Sequence, residues 1–96
     1  MRPSQALHQH RDAIRQLIER GNLRNPRVFG SASLGNDRDG SDLDLLVDAM
    51  PGTTLFDLGG VQVELEELTG VPVDLLTPED LPPRVRERVL REATPV

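Results

Sequence analysis

The chain has 96 residues, with 16 acidic and 11 basic side chains and a formal net charge of −5 at pH 7. That charge argues against a free-standing nucleic-acid binder. Lacking cysteine, the chain has no disulfide framework, thiol nucleophile or cysteine-ligated metal; all its basic residues are Arg, so a P-loop lysine and a Schiff-base lysine are excluded as well. Only 2% of residues are aromatic, so the core of an expected single domain over residues 1–96 must be built from Leu, Val and Ile. No apolar run approaches the roughly 20 residues of a membrane span, and the polar start does not read as a signal peptide, which makes the cytoplasm the expected location.

The spacing predicts a first helix over Ser4 to Arg20. Leu7, Ile14, Leu17 and Ile18 fall near one stripe, with Ser4 as N-cap and Gly21 as the residue beyond the end. His8 and His10 lie two apart and do not share a helix face, which argues against a two-histidine metal site. Asn22 to Pro26 reads as a turn, and Arg27 to Phe29 as a short first strand ended by Gly30. Ser31 to Leu34 reads as one helical turn. Asn36 to Gly40 reads as a polar loop, with Asp37 and Asp39 solvated.

Asp42 to Asp48 is the expected central strand. Successive strand side chains point to opposite faces, so Asp42 and Asp44 share one face while Leu43, Leu45 and Val47 share the other. Two carboxylates side by side repel each other, and a divalent cation removes that repulsion. Mg²⁺ is commonly held by one or two carboxylates plus substrate phosphates. Upstream, Gly30-Ser31 supplies close backbone approach, free N–H groups and a hydroxyl, as a phosphate requires.

Thr53 or Thr54 caps a helix expected to reach about Leu68, with Leu55, Leu58, Val61, Leu65 and Leu68 at helical spacing. Gly59-Gly60 interrupts it. A pair of glycines there implies close approach of another backbone, from the sheet or a partner subunit, or else a local kink. Glu64, Glu66 and Glu67 read as a solvated acidic face. Val71 to Leu76 is the third strand, parallel to the second because a helix connects them. Pro72 marks an edge position or a strand beginning. Pro83 opens a last helix to about Glu92, whose stripe of Val85, Val89 and Leu90 is surrounded by Arg84, Arg86, Arg88 and Arg91.

Gly30, Ser31, Gly35, Ser41, Asp42 and Asp44, at this spacing, resemble the signature of the minimal nucleotidyltransferases of the DNA polymerase β-like superfamily, in particular the antitoxin partner of HEPN/MNT toxin–antitoxin pairs. The resemblance covers nearly the whole chain. It implies an α/β (α+β) nucleotidyltransferase fold: a small mixed three-stranded sheet flanked by about four helices. Two Mg²⁺ ions would be held by Asp42, Asp44 and a third carboxylate, for which Asp74 is the candidate. These three are the expected catalytic and metal-binding residues. Gly30, Ser31, Gly35 and Ser41 are the expected nucleotide-binding positions, Ser41 chiefly through a local hydrogen bond that sets up the strand.

The implied reaction is transfer of AMP from ATP to a hydroxyl of a HEPN-type ribonuclease toxin, a tyrosine by resemblance, within a hetero-oligomer that needs neither nucleic acid nor membrane. Two alternatives keep the fold: neutralisation of the toxin by binding alone, and nucleotidyl transfer to a small-molecule hydroxyl. Many relatives carry an arginine just before the second glycine, where this chain has Leu34. Either a partner supplies that positive charge, or Leu34 packs into the core.

Overall fold

The computed structural model describes residues 1–96. The chain runs α1 (Pro3–Arg20), β1 (Leu23–Phe29), α2 (Ser31–Leu34), β2 (Leu43–Ala49), α3 (Leu55–Thr69), β3 (Val73–Leu76), a 3₁₀ turn (Pro78–Asp80), α4 (Pro83–Glu92) and β4 (Thr94–Pro95). The strands form one mixed sheet in the order β3-β2-β1-β4. β1 is antiparallel to both β2 and β4, and β2 is parallel to β3. The α/β architecture, a small mixed sheet with four helices, is as expected, with four strands in place of three.

The alternation along β2 decides which face is covered. Leu43, Leu45 and Val47 are fully buried and join Leu23, Val28, Val73 and Leu75 in one core, closed by Ala6, Leu7, Ile14, Leu17 and Ile18 of α1 and Val61 and Leu65 of α3. Burying a Leu or Ile side chain is worth about 1.5–3 kcal/mol, so this one face accounts for most of the apolar stabilisation. The opposite face of β2 carries Asp44, Leu46 and Asp48; Leu46 is also fully buried there. No helix is long and apolar enough to cross a membrane.

Several local expectations are corrected. β1 begins at Leu23, inside the stretch that reads as a turn, and absorbs Asn25-Pro26 as a shift of register between Arg24 and Arg27. Asn25 adopts a positive φ of 56° there, a conformation Asn tolerates better than most residues. Ser4 lies inside α1 rather than at its cap, and its N–H donates to Asp37 Oδ2 at 2.8 Å. Asp37 is therefore no solvated loop residue: it is only 5% exposed. The Ser4 N–H holds its carboxyl below the usual carboxylate range. Gly21 is needed for space, since a Cβ there would strike Val61 Cγ2 of α3. Glu66 does not belong to a solvated face. Its Oε2 accepts from Val73 N–H at 3.0 Å, and Gln62 Oε1 accepts from Leu75 N–H at 3.1 Å. Both bonds satisfy the outer edge of β3, which would otherwise be open to pairing with another chain. β4 escaped the sequence reading because a two-residue strand ending in Pro has no period to detect; Val96 beyond it is buried, and Arg15 Nε donates to its carbonyl at 2.8 Å.

α3 starts where expected, on Thr54: the Thr54 hydroxyl accepts from Asp57 N–H and the Asp57 carboxylate accepts from Thr54 N–H, a reciprocal cap. The helix then runs unbroken through Gly59 and Gly60 to Gly70, so there is no break at the pair. Nor does the sheet approach it, because a Cβ added at either glycine meets nothing within 4 Å. A helix-interior glycine costs about 1 kcal/mol relative to alanine. Gly60→Ala should therefore raise the melting temperature of the isolated chain by roughly 4–8 °C, the shift that about 1 kcal/mol produces in a domain of this size; a thermal melt followed by circular dichroism checks it.

Candidate active site

Three segments meet where β1 ends and β2 and β3 begin. In the sheet register Asp44 lies opposite Phe29 of β1 and opposite Asp74 of β3. Asp42 immediately precedes β2. Leu43 N–H donates to Pro72 O at 2.8 Å, which locks the start of β2 to the chain entering β3 and sets the aspartates at one level. Asp44 is half-buried, while Asp42 and Asp74 are exposed.

Gly30 turns the chain out of β1 with φ 72° and ψ −152°, a conformation open to glycine and strained for any side chain. Space imposes the same choice, since a Cβ at Gly30 would collide with Asp44 Oδ2. The backbone of the Gly30-Ser31 turn is thus packed directly on the central carboxylate. α2 follows for a single turn and ends on Gly35, whose φ of 77° is the left-handed cap. Asn36 N–H returns to Ser31 O at 3.1 Å. The chain then reaches Asp42 through a tight turn in which Arg38 N–H donates to Ser41 Oγ at 3.1 Å and Ser41 N–H donates to Arg38 O at 3.0 Å. Ser41 accordingly has the local bonding expected of it. Asp37, which the sequence reading set aside, ties the middle of this loop to the amino end of α1. No spacing rule marks it, because its partner is a backbone N–H 33 residues away.

The electrostatics follow from the geometry. Burial, then the charge of Asp74, then that of Asp42, push the Asp44 carboxyl up to about 6 from an ordinary 3.8. Both neighbouring charges act in the same direction, so the three carboxylates form one field of negative potential. The donor set fits Mg²⁺, a hard cation that takes carboxylate oxygens and keeps positions for water or phosphate. The three carboxylates do not close into a compact ligand cage by themselves. Leu34, at the end of α2, is 65% exposed. Of the two expectations for it, packing into the core is therefore excluded.

The profile of the family described as "Nucleotidyltransferase domain" matches residues 7–96. A Methanocaldococcus jannaschii protein whose name proposes it as a protein adenylyltransferase is 36% identical over 86 residues, 90% of this chain and 91% of its own length. The protein adenylyltransferase MntA of Thermococcus cleftensis is 36% identical over 78 residues, 81% of this chain and 79% of its own. Among solved structures, one described as a proposed minimal nucleotidyltransferase superposes with a TM-score of 0.87 at 44% identity, covering 97% of this chain and 95% of that one. A toxin–antitoxin structure with AMP-PNP superposes with a TM-score of 0.76 at 21% identity, covering 88% and 69%, and attests the shared fold. The chain belongs to the nucleotidyltransferase domain family and is an enzyme of that class.

The raised Asp44 carboxyl makes a prediction for the metal-free protein. Its folded value lies above its unfolded one, so between about pH 4 and about pH 6 the folded state keeps a proton that the unfolded state has released. Stability contributed by this group is thus present at low pH and lost as pH rises through that window. Urea unfolding with EDTA should show Asp44→Asn more stable than wild type at pH 7, with the difference vanishing below pH 4.

Proposed function

We propose that the chain is an Mg²⁺-dependent protein adenylyltransferase that acts as an antitoxin, moving AMP from ATP to a hydroxyl of a HEPN-type ribonuclease toxin, with tyrosine as the acceptor. The observation that carries this reading is the packing of the Gly30 backbone on Asp44, between Asp42 and Asp74. It supports a reading in which the Gly30-Ser31 turn binds phosphate next to carboxylates that bind the cation. The adenylyltransferase names of the two relatives, each aligned along most of its length, support the choice of AMP and of a protein acceptor. The toxin–antitoxin structure with AMP-PNP supports the partner and the nucleotide.

Asp42 and Asp44 would hold two Mg²⁺ ions and Asp74 would complete the set. Bound there, the metal supplies charge neutralisation on the triphosphate and a lowered pKa for the attacking hydroxyl. Ser31 and the first amides of α2, which have no partner inside a helix, bind phosphate oxygens. Gly30 keeps their path free of a side chain, and Gly35 and Ser41 hold the two ends of the loop that joins them to Asp42. The acceptor oxygen forms its bond to the α-phosphorus as the bond from that phosphorus to the bridging oxygen breaks. Pyrophosphate departs with the bonding pair, and the acceptor proton passes to the Asp74 carboxylate.

Incubating the protein with labelled ATP, Mg²⁺ and the product of the adjacent gene tests this directly: label should appear on that product. Asp42→Ala combined with Asp44→Ala should abolish labelling and leave association intact. A double variant that still protects cells as well as wild type would favour neutralisation by binding alone.

Leu34 sets the affinity for ATP. A charge-assisted hydrogen bond from an arginine there is worth on the order of 1.5–3 kcal/mol, and the exposed position can accept a charge without burying it. Leu34→Arg should strengthen ATP binding to the free chain by roughly ten-fold or more, and the wild-type chain should gain affinity when its partner is present. Calorimetric titration with and without the partner checks both.

A further inference from the structure

We propose that the amino-terminal half of α3 is a docking surface for a helix of a second, basic protein. Phe56 and Leu55 are 92% and 82% exposed. With Gly59, Gly60 and the half-exposed Val63 they follow at three- and four-residue steps along the side of α3 away from Val61 and Leu65, which makes them one continuous patch. Isolated apolar residues on a surface are ordinary, but a contiguous patch on one helix marks an interface.

The glycine pair is the second observation. Inside this chain nothing lies near either glycine and the helix is unbroken, so neither the sheet nor a kink accounts for them. What remains is the use small residues have between packed helices, where they let another backbone come close. Phe56 and Val63 stand on either side of this flat strip as anchors. Beside it runs an open groove between the end of α1 and α3, about 870 Å³, lined among others by Leu17, Arg20, Phe56, Gly60 and Glu64. It has room for a large side chain from the partner.

Charge selects the occupant. The ionisable residues of α3 are Asp57, Glu64, Glu66 and Glu67, with no basic residue among them. A second copy packed on this helix would set one helix with acidic and no basic side chains against another of the same kind, which disfavours self-association there. A partner helix carrying an aliphatic or aromatic anchor with Arg or Lys beside it satisfies both the patch and its acidic rim. A nuclease has to offer positive charge to RNA phosphates, so the acceptor proposed above has the right chemistry. The inference rests on the proposed function only for that partner's identity.

The test is binding of the adjacent gene's product, measured by interferometry, to wild type, Phe56→Ser and the Gly59→Ala/Gly60→Ala pair. Phe56→Ser should lose at least ten-fold in affinity without a change in melting temperature. The alanine pair should lose at least ten-fold while the free chain melts higher, a combination that damage to the fold cannot produce. Wild-type affinity in both variants overturns the surface and leaves adenylylation standing. Loss of labelling with the binding pattern intact does the reverse. Should the wild type fail to bind that protein, the partner assignment falls for both; self-association in sedimentation that Phe56→Ser abolishes makes a second copy the occupant and overturns the proposal.

Discussion

Everything at the working end of this molecule depends on holding three carboxylates where they repel one another. The sheet accomplishes this by register. Asp44 and Asp74 sit opposite each other on parallel strands, and the bond from Leu43 N–H to Pro72 O prevents either strand from sliding. A slip of one residue would carry the aspartates into the core and the leucines out of it. The buried face therefore enforces the acidic one: Leu43, Leu45 and Val47 cannot leave the core without large cost, and so Asp42 and Asp44 cannot leave the site. Burial first, and then repulsion from Asp74 and Asp42, hold the Asp44 carboxyl above its ordinary range, a standing cost that a cation bound there would relieve.

Such a cost matters in a chain this small. Native domains are stable by only about 5–15 kcal/mol, and this core is confined largely to one face of the sheet. The exposed edges are managed by single side chains. Gln62 and Glu66 occupy the outer N–H groups of β3, while β4 covers part of β1. The loop between α2 and β2, long and polar enough to wander, is held at its middle by Asp37 on α1 and at its end by the Arg38–Ser41 turn. These bonds position the site without adding to the core.

The parts legible in the sequence were those governed by periodicity or by a fixed turn. Strand alternation in β2, helical spacing in α1 and α3, the Thr54 cap and the glycine after Phe29 all act over a few residues, and the structure has each in place, save that Leu55, read as part of the α3 stripe, is exposed on the side away from Val61 and Leu65. What escaped joins one element to another. Asp37 bonds Ser4, Glu66 bonds Val73 across a turn, and Val96 bonds Pro26. A polar side chain used this way looks the same in sequence as a solvated one. β1 was shortened for a related reason: Asn25-Pro26 signals a turn locally, and only pairing with β2 carries the strand through it.

Two features remain that the isolated chain does not explain from within. Leu34 is exposed at the end of α2, beside the turn proposed above to hold phosphate, and α3 exposes Leu55, Phe56 and Val63 around two glycines at which an added Cβ would meet nothing within 4 Å. Under the proposed function they describe a chain that carries its own carboxylates and phosphate turn and takes the remaining surroundings of the site from its partner. An enzyme acting on a small diffusing acceptor needs its own walls to exclude water and orient that acceptor. One acting on a protein can leave both tasks to the substrate, provided the two surfaces dock first.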